Sequence, residues 1–256
     1  MDLFDLTGKT ALVTGGTRGI GKMIARGLLD AGAEVFVVSR DPGKCAEAER
    51  ELAGHGVVKA IPQDVSTERD ALALAEKIAS AADGLDILVN NAGAHHMAPF
   101  EEHEAAEWHR VLGLNVEAPF FLTRALLPSL LKSVTDGDPA RVINVGSIAG
   151  LHVPRGLATY AYSTSKAAVH HLTRVLAFEL ASRGVTVNAV APGVFPSEMT
   201  KSTLDAYRNG TRAMAPLGRV GTPDDVAGAV VYLASRAGAY VTGIVLPVDG
   251  GLATTV

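Results

Sequence analysis

The sequence predicts an α/β protein with a doubly wound, parallel, seven-stranded sheet and helices on both faces. Short runs of β-branched and apolar residues alternate with helical patterns along almost the whole chain. The 256 residues, 48% of them hydrophobic, can bury a sizeable core, and no linker or internal repeat divides them. We therefore expect residues 1–256 to form a single domain.

Each predicted strand is a short apolar run, and each predicted helix fills the segment between two such runs. The predicted strands are Thr10–Thr14, Glu34–Val38, Val57–Ile61, Asp86–Val89, Arg141–Val145, Val185–Ala191 and Ile244–Val248. The predicted helices are Ile20–Ala31, Gly43–Ala53, Glu68–Ala82, Ala105–Lys132, Tyr160–Ser182 and Pro223–Leu233. The last helix has the clearest start, because Thr222 can cap it and Pro223 suits its first position.

Two segments break the alternation of strands and helices. Asn91–Glu104 and Gly193–Gly221 each follow the end of a strand, at the edge where doubly wound sheets bind ligands. The second segment mixes apolar and polar residues, which suits a lid over an apolar substrate. A surface helix near Lys201–Arg212 is the alternative interpretation.

Composition and charge exclude several classes of protein. A net charge of −4 with 20% charged residues argues against disorder and against nucleic acid as a partner. The single cysteine, Cys45, excludes an internal disulfide and shows no metal-type spacing. The first strand begins too close to Met1 for a secretory signal, and no apolar run reaches membrane-spanning length, so we expect a cytoplasmic protein.

The first strand leads directly into a glycine-rich turn, Thr14-Gly-Gly-Thr-Arg-Gly-Ile-Gly21, which opens the first helix. Glycines permit a tight turn, and the helix N-terminus offers free N–H groups to a pyrophosphate. This position in the chain indicates a Rossmann-like dinucleotide site. The residues expected to contact the dinucleotide here are Gly15, Thr17, Arg18, Gly19, Ile20 and Gly21.

The second strand runs into Ser39 and Arg40, where the adenine ribose is expected. A serine donor and an arginine fork suit a 2′-phosphate, so NADP(H) is favoured over NAD(H). Asp41, directly after Arg40, keeps NAD(H) as an alternative. After the third strand, the pair Asp64-Val65 is expected at the adenine edge.

Tyr162 and Lys166 lie four residues apart in a predicted helix, so both can face one cleft. A nearby ammonium favours the phenolate, which predicts a lowered Tyr162 pKa and a general acid near neutral pH. Tyr160 lies on a different helix face from Lys166 and is the weaker candidate.

Six motifs in order resemble the short-chain dehydrogenase/reductase family, and they span nearly the whole chain. They are the glycine-rich turn, Asn90-Asn-Ala-Gly93, Leu114-Asn-Val116, Asn144-Val-Gly-Ser147, Tyr162-Ser-Thr-Ser-Lys166 and Pro192-Gly193. The resemblance implies that Tyr162 donates a proton, Ser147 orients a carbonyl, and Lys166 lowers the Tyr162 pKa and holds the nicotinamide ribose. It also implies that Asn115 positions a water behind Lys166. The remaining implied cofactor contacts are Asn91, Ala92, Gly93, Pro192, Gly193, Phe195 and Ser197.

Two details depart from the commonest family pattern. Pro196-Ser197 stands where many members carry threonine after the Pro-Gly pair, which keeps a hydroxyl but stiffens the loop. His95 and His96 follow the Asn-Asn-Ala-Gly motif, but no third ligand has metal-site spacing, so we expect no metal.

Within the family, the segments Ala158–Tyr162 and Ala191–Thr200 look most like NADPH-dependent 3-oxoacyl reductases of the rhamnolipid-associated type. We therefore expect an NADPH-dependent carbonyl reductase acting on a 3-oxoacyl group, as in an acyl thioester, or on another apolar ketone. The alternatives are a catalytically silent NADP-binding sensor or scaffold and an NAD-dependent sugar, alcohol or steroid dehydrogenase. The resemblance also implies a homotetramer, whereas the sequence itself shows only surplus apolar surface.

Overall fold

The computed structural model describes residues 3–153, 156–197, 200, 204–205 and 215–253. Within these residues, the chain alternates strands and helices as predicted. The strands are β1 Thr10–Thr14, β2 Glu34–Ser39, β3 Val58–Pro62, β4 Ile87–Asn90, β5 Ala140–Val145, β6 Val185–Pro192 and β7 Val245–Val248. The predicted bounds differ from these by at most one residue at each end.

The main helices of the described residues pack on both faces of the sheet. They are α1 Gly19–Asp30, α2 Pro42–Leu52, α3 Glu68–Ala81, α4 Ala105–Leu112, α5 Ala118–Lys132, α6 Tyr160–Ala181 and α7 Pro223–Ala234. The predicted helix Ala105–Lys132 is therefore two helices, α4 and α5, joined by a π-helical turn at Gly113–Glu117. Sequence periodicity did not reveal this turn, which carries Asn115.

All seven strands form one parallel sheet in the order β3-β2-β1-β4-β5-β6-β7. The predicted doubly wound α/β fold is confirmed. Because β1 lies between β2 and β4, the chain reverses direction of winding at β1, and the carboxyl ends of β1 and β4 meet there. Ligands bind at such a switch point in doubly wound sheets.

Two apolar cores cover the two faces of the sheet. Alternate strand residues point to opposite faces, so Val13 packs in the core beneath α1 and α7 while Leu12 packs in the core beneath α3, α5 and α6. β5 and β6 are buried along their whole length, as expected of central strands covered by helices on both faces.

A chain of buried side-chain hydrogen bonds crosses the second core. Asn90 at the end of β4 donates to Asn144 on β5 at 2.9 Å and to Thr123 on α5 at 3.3 Å. Asn144 in turn donates to Thr173 on α6 at 2.9 Å. Buried polar groups are costly unless paired, so this chain of bonds favours one register between α5, α6 and the strand ends.

Much of the segment predicted as a lid, including Met199, Tyr207 and Met214, lies outside the described residues. The alternative surface helix near Lys201–Arg212 lies largely outside them as well. No helix of the described part of the chain is both long and apolar enough to span a bilayer.

Candidate active site

Lys166 is buried on α6, and the end of β5 holds its ammonium group. Its side chain is 6% exposed, and Nζ donates to the Val145 carbonyl at 2.8 Å. Tyr162, one turn earlier, is partly buried, and Nζ lies 5.6 Å from the centre of its ring. The structure therefore brings the predicted phenol and amine together on one face of α6.

The protonation equilibria of the two groups differ from the sequence expectation. Burial raises the pKa of Tyr162, and a hydrogen bond from Ser147 opposes that effect only in part. Burial also lowers the pKa of Lys166 to about 8. Because Nζ points at the Val145 carbonyl, the expected lowering of the Tyr162 pKa by Lys166 is not found in this structure. The sequence-based expectation for the Tyr162 pKa included the charge of Lys166, but it did not include the loss of hydration that burial of the phenol causes.

Ser147 lies two residues after the end of β5 and is held by the turn that begins there. Its Oγ accepts from the Ala149 N–H at 3.1 Å, and its side chain is hydrogen-bonded to Tyr162. The short 3₁₀ turn Ile148–Gly150 packs directly on the backbone of α6, since a Cβ at Gly150 would lie 2.5 Å from the Lys166 carbonyl carbon. Two hydroxyl groups, one from β5 and one from α6, thus meet in the same place.

Asn115 is buried in the π-helical turn, where it joins two segments. Its Oδ1 accepts from the Ala94 N–H at 2.7 Å, and its Nδ2 donates to the Ala94 carbonyl at 2.9 Å. Nδ2 also donates to Ser165 Oγ at 2.8 Å. These bonds tie the loop after β4 to α6. The role expected of Asn115, positioning a water behind Lys166, stays a prediction.

The glycine-rich turn after β1 leaves the start of α1 open to the cleft. Gly15 and Gly19 have φ angles of +64° and +53°, which residues with side chains rarely adopt. No side chain caps α1 at Arg18, and the first turn of α1 contains no acidic residue. The N–H groups and the positive end of this helix therefore suit a bound phosphate group.

Asn91 holds the glycine-rich turn in place through hydrogen bonds. Its Nδ2 donates to the carbonyls of Thr14 and Gly15 at 2.8 and 3.2 Å, and its backbone N–H donates to Thr14 Oγ1 at 3.0 Å. A Cβ at Gly21 would lie 2.3 Å from the Asn91 amide nitrogen. Asn91 thus joins the ends of β1 and β4 at the switch point.

At the end of the cleft where the adenine ribose is expected, the carboxylate of Asp41 is engaged in hydrogen bonds within the protein. It caps α2 by accepting from the N–H groups of Gly43 and Lys44 at 2.9 and 3.1 Å. Asp41 therefore gives little support to the alternative of NAD(H). Arg40 is 75% exposed in its side chain, and its guanidinium lies 3.8 Å from an oxygen of Asp64. Arg40 is an exposed cation at the end of the cleft where the 2′-phosphate is expected.

One cleft of about 360 Å³ runs from the glycine-rich turn to Tyr162 and Lys166. The predicted cofactor residues that line it are Gly15, Thr17, Arg18, Gly19, Ile20, Gly21, Ser39, Arg40, Asp64, Val65, Asn91, Ala92, Gly93, Tyr162, Lys166 and Ser197. The lining residues that the sequence analysis missed are Val38, Gln63, Ala94, Leu114, Val145 and Gly146. Most of them adjoin a predicted residue, so extending each motif by one position would have found them.

Three predicted cofactor residues do not line this cleft. Pro192 ends β6, and the Gly193 N–H donates to the Val248 carbonyl at 2.9 Å. The Phe195 side chain is 1% exposed and packs in the core, where a Cβ at Gly221 would meet its ring. The contact expected here is one of the backbone after Pro192, so burial of the Phe195 ring does not decide it, and it stays a prediction.

Comparison with known proteins places the chain in a family. A family model described as enoyl-(acyl carrier protein) reductase matches residues 15–253. The rhamnolipids biosynthesis 3-oxoacyl-(acyl-carrier-protein) reductase of Pseudomonas aeruginosa is 46% identical over 250 residues, covering 97% of each chain. The chain belongs to the short-chain dehydrogenase/reductase family.

One further relative and one solved structure extend the comparison for this short-chain dehydrogenase/reductase. The 3-oxoacyl-(acyl-carrier-protein) reductase FabG of Vibrio cholerae is 39% identical over 248 residues, covering 97% of this chain and 98% of the relative. The solved Pseudomonas aeruginosa RhlG/NADP active-site complex superposes with a TM-score of 0.94, at 46% identity over 98% of both chains.

His95 and His96, which the sequence analysis left without a role, take different positions in this short-chain dehydrogenase/reductase. The His95 ring packs edge-on against the Tyr162 ring, with centroids 4.9 Å apart. The His96 Nδ1 lies 3.3 Å from a Glu107 oxygen. No metal-binding group of three ligands occurs among the described residues.

We predict that Tyr162→Phe abolishes nearly all ketone reduction but leaves NADPH binding within about twofold of wild type. A positioned general acid contributes roughly 10²–10⁴-fold to a rate, and the substitution removes only the transferable proton. The measurement is steady-state turnover together with a fluorescence titration of NADPH. Tyr240→Phe, at a fully exposed tyrosine, is the matched control and should retain activity. A Tyr162→Phe enzyme with more than a tenth of wild-type turnover would contradict Tyr162 as the acid.

We predict that Arg40→Asp shifts cofactor preference from NADPH towards NADH. The substitution replaces a charge-assisted contact, worth about 1.5–3 kcal/mol, with repulsion of the 2′-phosphate. Each tenfold change in preference corresponds to about 1.4 kcal/mol, so a shift of at least tenfold is expected. The ratio of kcat/KM for the two cofactors measures it. An unchanged ratio would mean that Arg40 does not contact the phosphate, and Arg18→Gln would then be tested in the same way.

Proposed function

We propose that the protein is an NADPH-dependent carbonyl reductase that converts 3-oxoacyl thioesters to 3-hydroxyacyl thioesters. The observation that carries this proposal is the hydrogen bond between Ser147 and Tyr162, with Tyr162 and buried Lys166 both lining the cleft that begins at the N-terminus of α1. The predicted family, the oxidoreductase class and NADP(H) as cofactor are confirmed by the relatives, among them a 3-oxoacyl reductase and an NADP complex.

The residues of this chain fit the binding of a dinucleotide along the cleft. The open N-terminus of α1 and the backbone of Gly15 and Gly19 suit the pyrophosphate, and Arg40 suits the 2′-phosphate. Lys166 lines the other end of the cleft, and its ammonium group suits the ribose next to the nicotinamide. The bound cofactor supplies a hydride to the carbonyl carbon.

Ser147 and Tyr162 act on the oxygen of the carbonyl group. Negative charge develops on this oxygen as the carbon is reduced, so two hydroxyl donors fixed beside it stabilise the transition state more than the ground state. Tyr162 gives its hydroxyl proton to the oxygen. The Lys166 ammonium, still charged at pH 7 with a pKa of about 8, lies 5.6 Å from the centre of the Tyr162 ring and is a cation available to the phenolate that is left.

A second cavity, mainly apolar and lined in part by residues close in sequence to Ser147 and Tyr162, supports an acyl substrate. Its volume is about 560 Å³, within the range of small-molecule sites. Ala149, two residues after Ser147, and Tyr160, two residues before Tyr162, form part of its wall. Phe100 and Trp108 add two further aromatic rings, and Phe100 is 73% exposed at its rim.

The experiment that tests this proposal compares substrates under identical NADPH conditions. We predict that kcat/KM is highest for 3-oxoacyl thioesters and rises with chain length by up to about fourfold for each buried methylene, which corresponds to 0.8 kcal/mol. Phe100→Ala, at the exposed rim, should flatten that rise while leaving the shortest substrate unchanged. A higher kcat/KM for a sugar ketone, a steroid ketone or a trans-2-enoyl thioester would contradict the substrate class. Binding of NADPH without reduction of any ketone would instead favour a silent sensor or scaffold.

We further infer that the chain forms a homotetramer, as the family resemblance suggests. Exposed apolar side chains on two neighbouring helices support self-association: Phe178 on α6 is 89% exposed, Val175 is 51% exposed, and Phe120 on α5 is 37% exposed. The expected cytoplasmic location stays a prediction.

A further inference from the structure

His170 lies on α6 one turn after Lys166 and two turns after Tyr162, on the same face of the helix. Its side chain is only 3% exposed. Its Nε2 accepts a hydrogen bond from the backbone N–H of Ser147, with a nitrogen–nitrogen distance of 3.4 Å. This imidazole therefore contacts the peptide that carries the proposed carbonyl-binding hydroxyl, although the reaction described above assigns it no role.

The imidazole fits against this peptide because residue 146 has no side chain. A Cβ at Gly146 would lie 2.1 Å from His170 Nε2, well inside any allowed contact. On the opposite side, the Gly146 N–H donates to the Val190 carbonyl of β6 at 2.8 Å. The segment Gly146–Ser147 is thus held between β6 and α6.

The ring of His170 is in the protonation state that this contact requires. Burial, followed by the charges of Lys166 and Arg174, lowers the pKa of His170 to about 4, against a smaller opposing effect of the Gly150 backbone. At pH 7 the ring is neutral, so Nε2 can accept a hydrogen bond while Nδ1 carries the proton.

We propose that His170 is a positioning residue for the reduction: it fixes the Gly146–Ser147 peptide and so directs the Ser147 hydroxyl towards Tyr162 and the substrate oxygen. This proposal rests on the proposed carbonyl reductase function. Under this proposal, α6 contributes three residues to the site: Tyr162 and Lys166 act directly, and His170 acts through Ser147. A small displacement of one reacting group can lower a rate by two orders of magnitude, so the effect of losing His170 is measurable.

A double-mutant cycle separates this role from a general contribution of His170 to packing. In the wild-type background, His170→Leu should lower kcat by about 10–100-fold and change the KM for NADPH by less than about twofold. In a Ser147→Ala background, where no hydroxyl remains to be directed, the same substitution should have almost no further effect on kcat. Equal losses in both backgrounds would overturn the proposal, because a packing defect acts whether or not Ser147 is present.

Two polar substitutions, His170→Gln and His170→Asn, test the hydrogen bond itself. They remain informative if His170→Leu does not fold. Glutamine can place an oxygen near the position of Nε2, whereas asparagine is too short to reach the Ser147 N–H. His170→Gln should therefore restore most of kcat and His170→Asn should not. His171→Leu, at the exposed neighbour on α6, is the matched control and should retain wild-type kinetics.

The outcomes distinguish the two proposals. A glutamine variant no better than the asparagine variant, or a leucine variant within about twofold of wild-type kcat, would contradict the role of His170 alone. A wild-type protein that reduces no ketone would contradict the proposed function instead. In that case, a crystal structure of His170→Asn tests the geometry directly: an unchanged Ser147 hydroxyl position would overturn the positioning role as well.

Discussion

The position of α6 against the carboxyl end of β5 is the constraint on which the site depends. Lys166 reaches through the interface to the Val145 carbonyl, and farther along the helix Thr173 accepts from Asn144 on the same strand. Each of these groups is buried, and leaving either one unpaired would cost about 1–3 kcal/mol or more. The helix therefore has one well-defined position relative to the strand, and the hydroxyls of Ser147 and Tyr162 meet as a result.

The switch of winding direction at β1 connects this reacting end to the nucleotide end. Asn91 follows β4 and bonds to the carbonyls of Thr14 and Gly15 after β1, while Asn90 bonds to Asn144 on β5. One pair of adjacent asparagines thus supports the glycine-rich turn on one side and β5 on the other. The cleft needs no movement of separate domains to bring its two ends together, because one sheet edge carries both.

The fold could be predicted closely from the sequence because its signals are local. Apolar strands and helix caps depend on neighbouring residues, and the structure shifts the predicted strand ends by no more than one residue. The break between α4 and α5 could not be predicted in this way. The break brings Asn115 into contact with Ala94, which is distant in sequence. The periodicity of residues along a single helix therefore cannot predict it.

For the candidate site, too, the residues could be predicted from local sequence signals, whereas their long-range contacts could not. Which residues face the cleft follows from their positions at strand ends and on one face of α6, and most of the predicted set lines it. Energetic properties required the three-dimensional structure. Burial raises the pKa of Tyr162, the Phe195 side chain packs in the core, and the His170 ring contacts the Ser147 N–H. None of these effects depends on spacing along the chain.

The central claim is that the protein delivers a hydride to a carbonyl carbon while Tyr162 protonates the adjoining oxygen. The most direct test is to follow NADPH carrying deuterium at the transferred position of its nicotinamide, with a 3-oxoacyl thioester as substrate. The account predicts a 3-hydroxyacyl product with a single deuterium on carbon 3, while the hydroxyl hydrogen comes from solvent. A product without deuterium at carbon 3, or one that retains its ketone, would contradict it.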